Sequence, residues 1–223
     1  MNLKRFCTRF REMRTCYVGT KVSFLDKIFY AVDYVFAFII HGASISDYFA
    51  YGFYKLRYKG RKEYITYRRY HVIQNKCNKV SDRCLCREKN KFNELFKEFL
   101  GRDWIDVNNV DNFHFSGIGA NINIETGIID TIGYDAHNNT YIVHPITGKQ
   151  IIGAQIPYWE ECKTFVERAA RHIPSVRYIG WDIVIQSGGH FLLIEGNDNA
   201  DHDFQQLHNC GLWKQYQSII KRF

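Results

Sequence analysis

The chain has 223 residues, of which 46% are hydrophobic and 24% charged, with only three prolines. That balance excludes a wholly disordered or collagen-like chain, and no low-complexity linker or internal repeat points to a solenoid. The net charge of +7 is unevenly spread: residues 1–103 hold 22 Lys/Arg against 10 Asp/Glu, whereas residues 104–223 hold 8 against 13.

The sequence therefore divides into a basic, mainly helical region, 1–103, and an acidic α+β region, 104–223. A basic half suits a polyanion or an anionic membrane surface as neighbour. The seven cysteines, at positions 7, 16, 77, 84, 86, 162 and 210, are odd in number and follow no disulfide or zinc spacing. They read as reduced thiols of a cytoplasmic protein. Residues 1–19 are basic and lack the apolar core of a secretory signal.

In chain order, Phe24, Ile28, Val32, Val35, Phe36 and Ile39 recur at helical spacing. The apolar run Ile28 to Ile40 is interrupted by Asp33 and is shorter than the ~20 residues a span requires. It reads as a buried or oligomer-forming helix, the alternative being a helix lying on a membrane surface beside the basic N-terminus. His41-Gly42 breaks it, and Ser46 or Asp47 is expected to cap a second helix running to about Tyr58. Residues 51–80 hold nine Lys/Arg and one acid among Tyr51, Phe53, Tyr54, Tyr58, Tyr64, Tyr67 and Tyr70. Stacking on single-stranded nucleic acid is one use of such a pattern. An aromatic inner face beneath a solvated basic one is the reading preferred here, with no nucleic acid as partner.

Residues 87–100 predict an amphipathic helix with Phe92, Leu95, Phe96 and Phe99 on one side. Strand-like segments follow at Gly119–Ile124 and Thr140–His144, separated by turn signals at 125–127, 137–139 and 147–148. Pro157 opens a helix carrying Trp159, Cys162, Phe165, Val166 and Ala169 on one face, ending near Pro174. Leu212–Ile220 forms a closing helix.

The segment "YIGWDIVIQSGGHFLLIEGN", Tyr178 to Asn197, reads as a β-hairpin. A two-residue turn at Gly188-Gly189 places Asp182 opposite Glu195, Val184 opposite Leu193 and Gly180 opposite Asn197. Asp182, Val184, Leu193, Glu195 and Asn197 then share one face, and Trp181, Ile183, Ile185, Leu192 and Ile194 the other. Two facing carboxylates repel unless a proton or a cation intervenes. With an amide oxygen beside them they form a hard donor set of the kind Mg²⁺ accepts. Exposed strand ends pairing with lysines are the bland alternative. A rival zinc-competent group is Asp201, His202, Asp203, His208 and Cys210, although His202 and His208 are widely spaced and solvated loop residues explain it as well.

An Asp followed thirteen residues later by Glu-x-Asn on antiparallel strands resembles the metal-binding end of an ATP-grasp domain. More narrowly, "YIGWDIVI…HFLLIEGND", "VDNFHFSGIGANINIETG", "YIVHPITGKQIIGAQIPYWEE", "GASISDYFAYGFYKLRYKGRKEYITYRR" and "EKNKFNELFKEFLGR" resemble successive segments of the sugar-transfer associated ATP-grasp family, related to α-L-glutamate ligases. The resemblance implies an α+β fold in which a helical N-terminal region precedes the antiparallel-sheet, C-terminal part of an ATP-grasp domain. It also implies that Asp182, Glu195 and Asn197 coordinate Mg²⁺ bridging the outer phosphates of ATP, and that carboxylate and amine substrates are joined through an acyl phosphate. The family name adds a setting in cell-surface polysaccharide or amino-acid conjugate metabolism.

One departure is large. Where the family has about a hundred residues of nucleotide-binding lobe, this chain offers "DWIDVNNV", and no lysine lies between Lys97 and Lys149. A loop at Ser116-Gly117-Ile118-Gly119 is a weak substitute for a phosphate cradle. The resulting expectations are a ligase-like protein that is degenerate or completed by a partner chain, or a non-catalytic membrane-peripheral or partner-binding scaffold.

Overall fold

The computed structural model describes residues 3–101, 117–135, 139–200, 202 and 211–223. In chain order come α1 (Leu3–Val18), α2 (Phe24–Phe36) with a π-helical turn Ala37–His41, α3 (Ile45–Ala50), α4 (Tyr58–Arg61), α5 (Tyr67–Cys77), α6 (Cys84–Arg87), α7 (Lys89–Leu95) and α8 (Lys97–Leu100). Then follow β1 (Gly133–Tyr134), β2 (Thr140–Tyr141), α9 (Trp159–Arg171), β3 (Gly180–Ile185), β4 (Phe191–Asn197) and α10 (Trp213–Ile220). Helices with two small antiparallel sheets, β1-β2 and β3-β4, make the fold α+β. The residues gather into two units, 1–73 with 202–223, and 74–201. The compositional change at residue 103 lies within the second.

The first unit is built on aromatic rings. Tyr34, Tyr48, Phe49, Tyr51, Phe53 and Tyr64 are buried together, with Phe6 and Phe10 of α1 packed against them. Ser23 caps α2, its hydroxyl accepting the Asp26 N–H at 3.1 Å. The cap of α3 is Ser44 rather than Ser46 or Asp47. Ser44 accepts from the Asp47 N–H at 3.0 Å, while Asp47 Oδ2 accepts the Ser44 N–H at 2.7 Å, a reciprocal capping box. The helix stops at Ala50, well short of Tyr58, because Gly52 turns into the left-handed region at φ 60°. The basic-aromatic stretch is resolved by burial: Tyr51, Phe53, Tyr64 and Tyr70 go inside, while Tyr58 and Tyr67 stay exposed.

The second unit packs its hairpin on helices. Phe92, Phe96, Phe99, Leu100, Ala169, Ile173, Val176 and Leu193 form its core, with Trp181 and Ile183 packed against them. The single helix predicted over 87–100 is interrupted at Phe96, whose φ −104° and ψ 20° separate α7 from α8. Its aromatic face is nonetheless buried as the periodicity requires. The strands predicted at 119–124 and 140–144 reduce to a two-residue ladder and isolated bridges, Gly119 with Tyr134, Ile122 with Ile129 and Val143 with Gln150. Side chains supply the remaining order. Asp135 accepts from the Asn139 N–H at 2.9 Å and from the Tyr141 hydroxyl at 3.0 Å, and Asn123 Oδ1 accepts the Glu125 and Thr126 N–H groups. At the predicted turn, Gly127 is left-handed and sits so close beneath the Trp159 ring that a β-carbon has no room. The Trp159 indole N–H donates to the Ile124 carbonyl at 2.8 Å.

Candidate metal centre

The β3-β4 hairpin pairs Asp182 with Glu195, Trp181 with Gly196 and Gly180 with Asn197. Nearer the turn, Ile183 pairs with Leu193, Val184 with Leu192 and Ile185 with Phe191. The predicted pairing of Val184 with Leu193 is therefore incorrect by one residue. The loop has three residues, not two: Gln186 donates to the His190 carbonyl at 2.8 Å and encloses Ser187, Gly188 and Gly189. A bulge between Asp182 and Ile183, with Ile194 as the extra residue of β4, restores the register at the acids. Leu193 consequently turns to the core face, where it is fully buried between α8 and α9.

Asp182, Glu195 and Asn197 are all exposed, on the side of the hairpin away from that core. Gly196, between the two ligand candidates of β4, faces the other way. A β-carbon there meets Trp181 at 2.8 Å and Phe92 at 2.9 Å, so only glycine lets both rings pack directly beneath the acidic end. Trp181 also stands edge-on to Phe96 at 5.4 Å between ring centroids, a packing role.

Among the described residues, no cation lies within 4.0 Å of Asp182 or Glu195, which sets aside pairing with nearby lysines. The Asp182 carboxyl is pushed up to about 6, first by desolvation, then by the charge of Glu195 and a hydrogen bond to it. Among the described residues the pair thus has no compensating positive charge, and a divalent cation would supply one. The Asn197 Oδ1 accepts the Asn199 N–H at 2.8 Å, which fixes the amide and leaves its second lone pair for an ion. Two carboxylates and one amide oxygen fit Mg²⁺ in kind and charge.

A polar buttress that the sequence reasoning missed anchors both ends of the hairpin. Asp198 directly follows Asn197 and is only 1% exposed. Arg87 grips it twice, Nε to Oδ1 at 2.8 Å and Nη2 to Oδ2 at 2.9 Å, with Arg83 3.9 Å away. Buried Asn78 donates to the Tyr178 and Asp198 carbonyls and accepts from the Arg177 and Tyr178 N–H groups. Gln74 donates to the Asp198 carbonyl and to Asn199 Oδ1. The legible signal was the run Asn197-Asp198-Asn199 after an apolar strand, with polar residues placed on the buried side of α5.

With this geometry in place, comparison with known proteins identifies one relationship. The sugar-transfer associated ATP-grasp family matches residues 102–221, just over half of the chain. The chain belongs to this family. No curated protein and no solved structure matches it. The resemblance read in residues 40–101 lies outside the matched segment. An ATP-grasp assignment agrees with the α+β fold.

The remaining candidates divide. Among the described residues, no three His, Cys, Asp or Glu groups cluster as a metal site. Of the zinc-competent set, His202 is buried, stacks on Tyr70 at 4.7 Å and lies 3.2 Å from Asp47 Oδ1. Asp201, Asp203, His208 and Cys210 lie outside the described residues, as do "DWIDVNNV" and Ser116. No helix of the described residues is long and apolar enough to cross a membrane.

Proposed function

We propose that this chain is a Mg-ATP-using, carboxylate-amine ligase-like protein whose metal is held by Asp182, Glu195 and the amide oxygen of Asn197. When bound there, Mg²⁺ would supply positive charge to offset that of the ATP phosphates. The chain's own part is to present two carboxylates side by side, fixed from below by Trp181 and Phe92 and from the strand ends by Asn78 and Arg87. A substrate carboxylate then attacks the γ-phosphorus with ADP leaving, and an amine displaces phosphate from the acyl phosphate. Residues 104–223 would supply the C-terminal part of the ATP-grasp domain and residues 1–103 the basic helical part. Cell-surface polysaccharide or amino-acid conjugate metabolism is the setting proposed from the family name.

The observation that carries this reading is the direct pairing of Asp182 with Glu195, with no neighbouring cation among the described residues, in a chain of ATP-grasp ancestry. Calorimetric titration of Mg-ATP into the full chain and into Glu195→Gln tests it. Binding to the wild type that is lost in the variant supports the proposal. Absence of binding to the wild type overturns it in favour of a non-catalytic scaffold.

A further inference from the structure

α2 is turned inside out. Its polar residue, Asp33, faces the interior of the first unit, where Arg61 holds both carboxylate oxygens at 2.9 and 2.8 Å and the Tyr48 hydroxyl donates at 2.8 Å. Tyr30, Tyr34 and Ala37 share that inner side, Tyr34 meeting the Phe6 and Phe10 rings of α1. The outer side carries Phe24, Leu25, Ile28, Phe29, Val32, Val35, Phe36 and Ile39, all exposed, with Val32 at 52% and Ile39 at 61%. At about 100° per residue these eight positions fall within roughly 140° of the helix circumference, a continuous stripe. With the π-helical turn it is about 27 Å long at 1.5 Å per residue.

A helix folded for water does the reverse, and patches this large mark an apolar partner. The same unit indicates which one. Residues 1–73 hold 14 Lys/Arg against five acids, and α1 holds five against one. Lys4, Arg5, Thr8, Arg9, Glu12 and Met13 line a groove of about 500 Å³ along α1. Exposed Lys21 and Lys27 flank the start of α2. On the inner side of α2, Tyr34 meets the Phe6 and Phe10 rings of α1, which joins the basic helix to the same core. An apolar stripe of limited length, flanked by Lys21 and Lys27 on a basic unit, matches the acyl boundary and phosphate layer of a bilayer leaflet.

We propose that the outer face of α2 lies in the surface of an anionic lipid membrane, with the basic groove of α1 against lipid phosphates. Asp33 and the stripe's length keep the helix in the interface rather than across the bilayer. This attachment does not depend on the metal site.

Flotation of the full chain with vesicles tests it, comparing phosphatidylcholine alone with equimolar phosphatidylcholine and phosphatidylglycerol. Binding to the anionic vesicles is expected, weakened by salt, and at least about tenfold weaker in Val32→Glu. Lys4→Gln and Arg5→Gln each reduce it about fivefold at low salt and leave the apolar contribution intact. Far-UV circular dichroism checks that the variants are folded, and Lys4→Gln, at an exposed site, provides a readout if Val32→Glu does not fold. Equal binding of wild type and a folded Val32→Glu overturns the proposal. So does a dimer that Val32→Glu dissociates, with no vesicle binding by the wild type, since a second copy would then cover the stripe.

Discussion

Asp182 and Glu195 are direct cross-strand partners on the exposed face of the β3-β4 hairpin, and their pairing survives only because a three-residue loop and a one-residue bulge offset each other. The Asp182 carboxyl is raised to about 6 by desolvation and by Glu195. A cation must displace that proton, so metal binding strengthens with pH. Mg²⁺ should raise the melting temperature more at about pH 8 than at about pH 5. In Glu195→Gln the carboxyl of Asp182 should titrate closer to the ordinary aspartate range, near 4, and the Mg²⁺ response should disappear. Carboxyl-carbon NMR titration and thermal melts with and without Mg²⁺ measure both.

Two groups drive stability in opposite directions as pH falls through the same window. His41 is buried in the π-helical turn and its pKa is lowered to about 4, first by desolvation and then by the charges of Arg69, Arg61 and Lys62. The folded state binds fewer protons there than the unfolded chain, so stability is lost as pH falls from about 6.5 toward 4, by about 3 kcal/mol in total. Asp182 has a folded pKa above its unfolded value, so stability is gained as pH falls from about 6 toward 4. Its exposure limits that contribution to about 1 kcal/mol or less. Denaturant unfolding at a series of pH values should therefore show a net loss on acidification. His41→Gln should reverse the slope, and Asp182→Asn should steepen it.

The acidic end of the hairpin was legible because the alternation of side chains along a strand has period two. Asp182, Glu195 and Asn197 needed only the right register at one rung. What failed was the turn: Gly188-Gly189 satisfies a two-residue loop, and nothing local distinguishes that from a three-residue loop containing Ser187. The displaced residue then had to be absorbed at Ile194, which put Leu193 on the core side. The helices of the first unit were legible from periodicity, but the capping residue was misplaced. Ser44, Ser46 and Asp47 are all competent caps, and the tertiary contacts of Asp47 with the Tyr67 N–H at 2.7 Å and with His202 at 3.2 Å select the box starting at Ser44. Of the buttress, only the polar run Asn197-Asp198-Asn199 was legible; its pairing with Gln74, Asn78 and Arg87 was not, since those partners lie about a hundred or more residues away in the chain.

That buttress makes a stability prediction. Asp198 is buried and Arg87, more than half exposed along its side chain, is its bidentate partner. Arg87→Ala leaves a buried carboxylate whose remaining cation among the described residues is Arg83 at 3.9 Å. A buried charge stripped of its partner costs about 3–5 kcal/mol, with the residual attraction of Arg83 favouring the lower end. Asp198→Asn in the Arg87→Ala background removes the stranded charge and should recover part of the loss. Chemical denaturation of the two single variants and the double variant gives the coupling directly.

Neighbouring positions on α2 should respond oppositely. Val32 is half exposed and touches no core cluster, so Val32→Ser removes apolar surface from water and should change stability by about 0.5 kcal/mol or less. Asp33 is one residue on and inward. Asp33→Ala strands the Arg61 guanidinium, whose side chain is 10% exposed and otherwise held by the Leu56 and Phe53 carbonyls. It also deprives the Tyr48 hydroxyl of its acceptor. Loss of one partner of a buried ion pair predicts about 3–5 kcal/mol of destabilisation, and Arg61→Met in that background should restore part of it. Urea unfolding of these variants without lipid measures both effects. A large loss at Val32 with none at Asp33 would mean that α2 presents the opposite face to the interior.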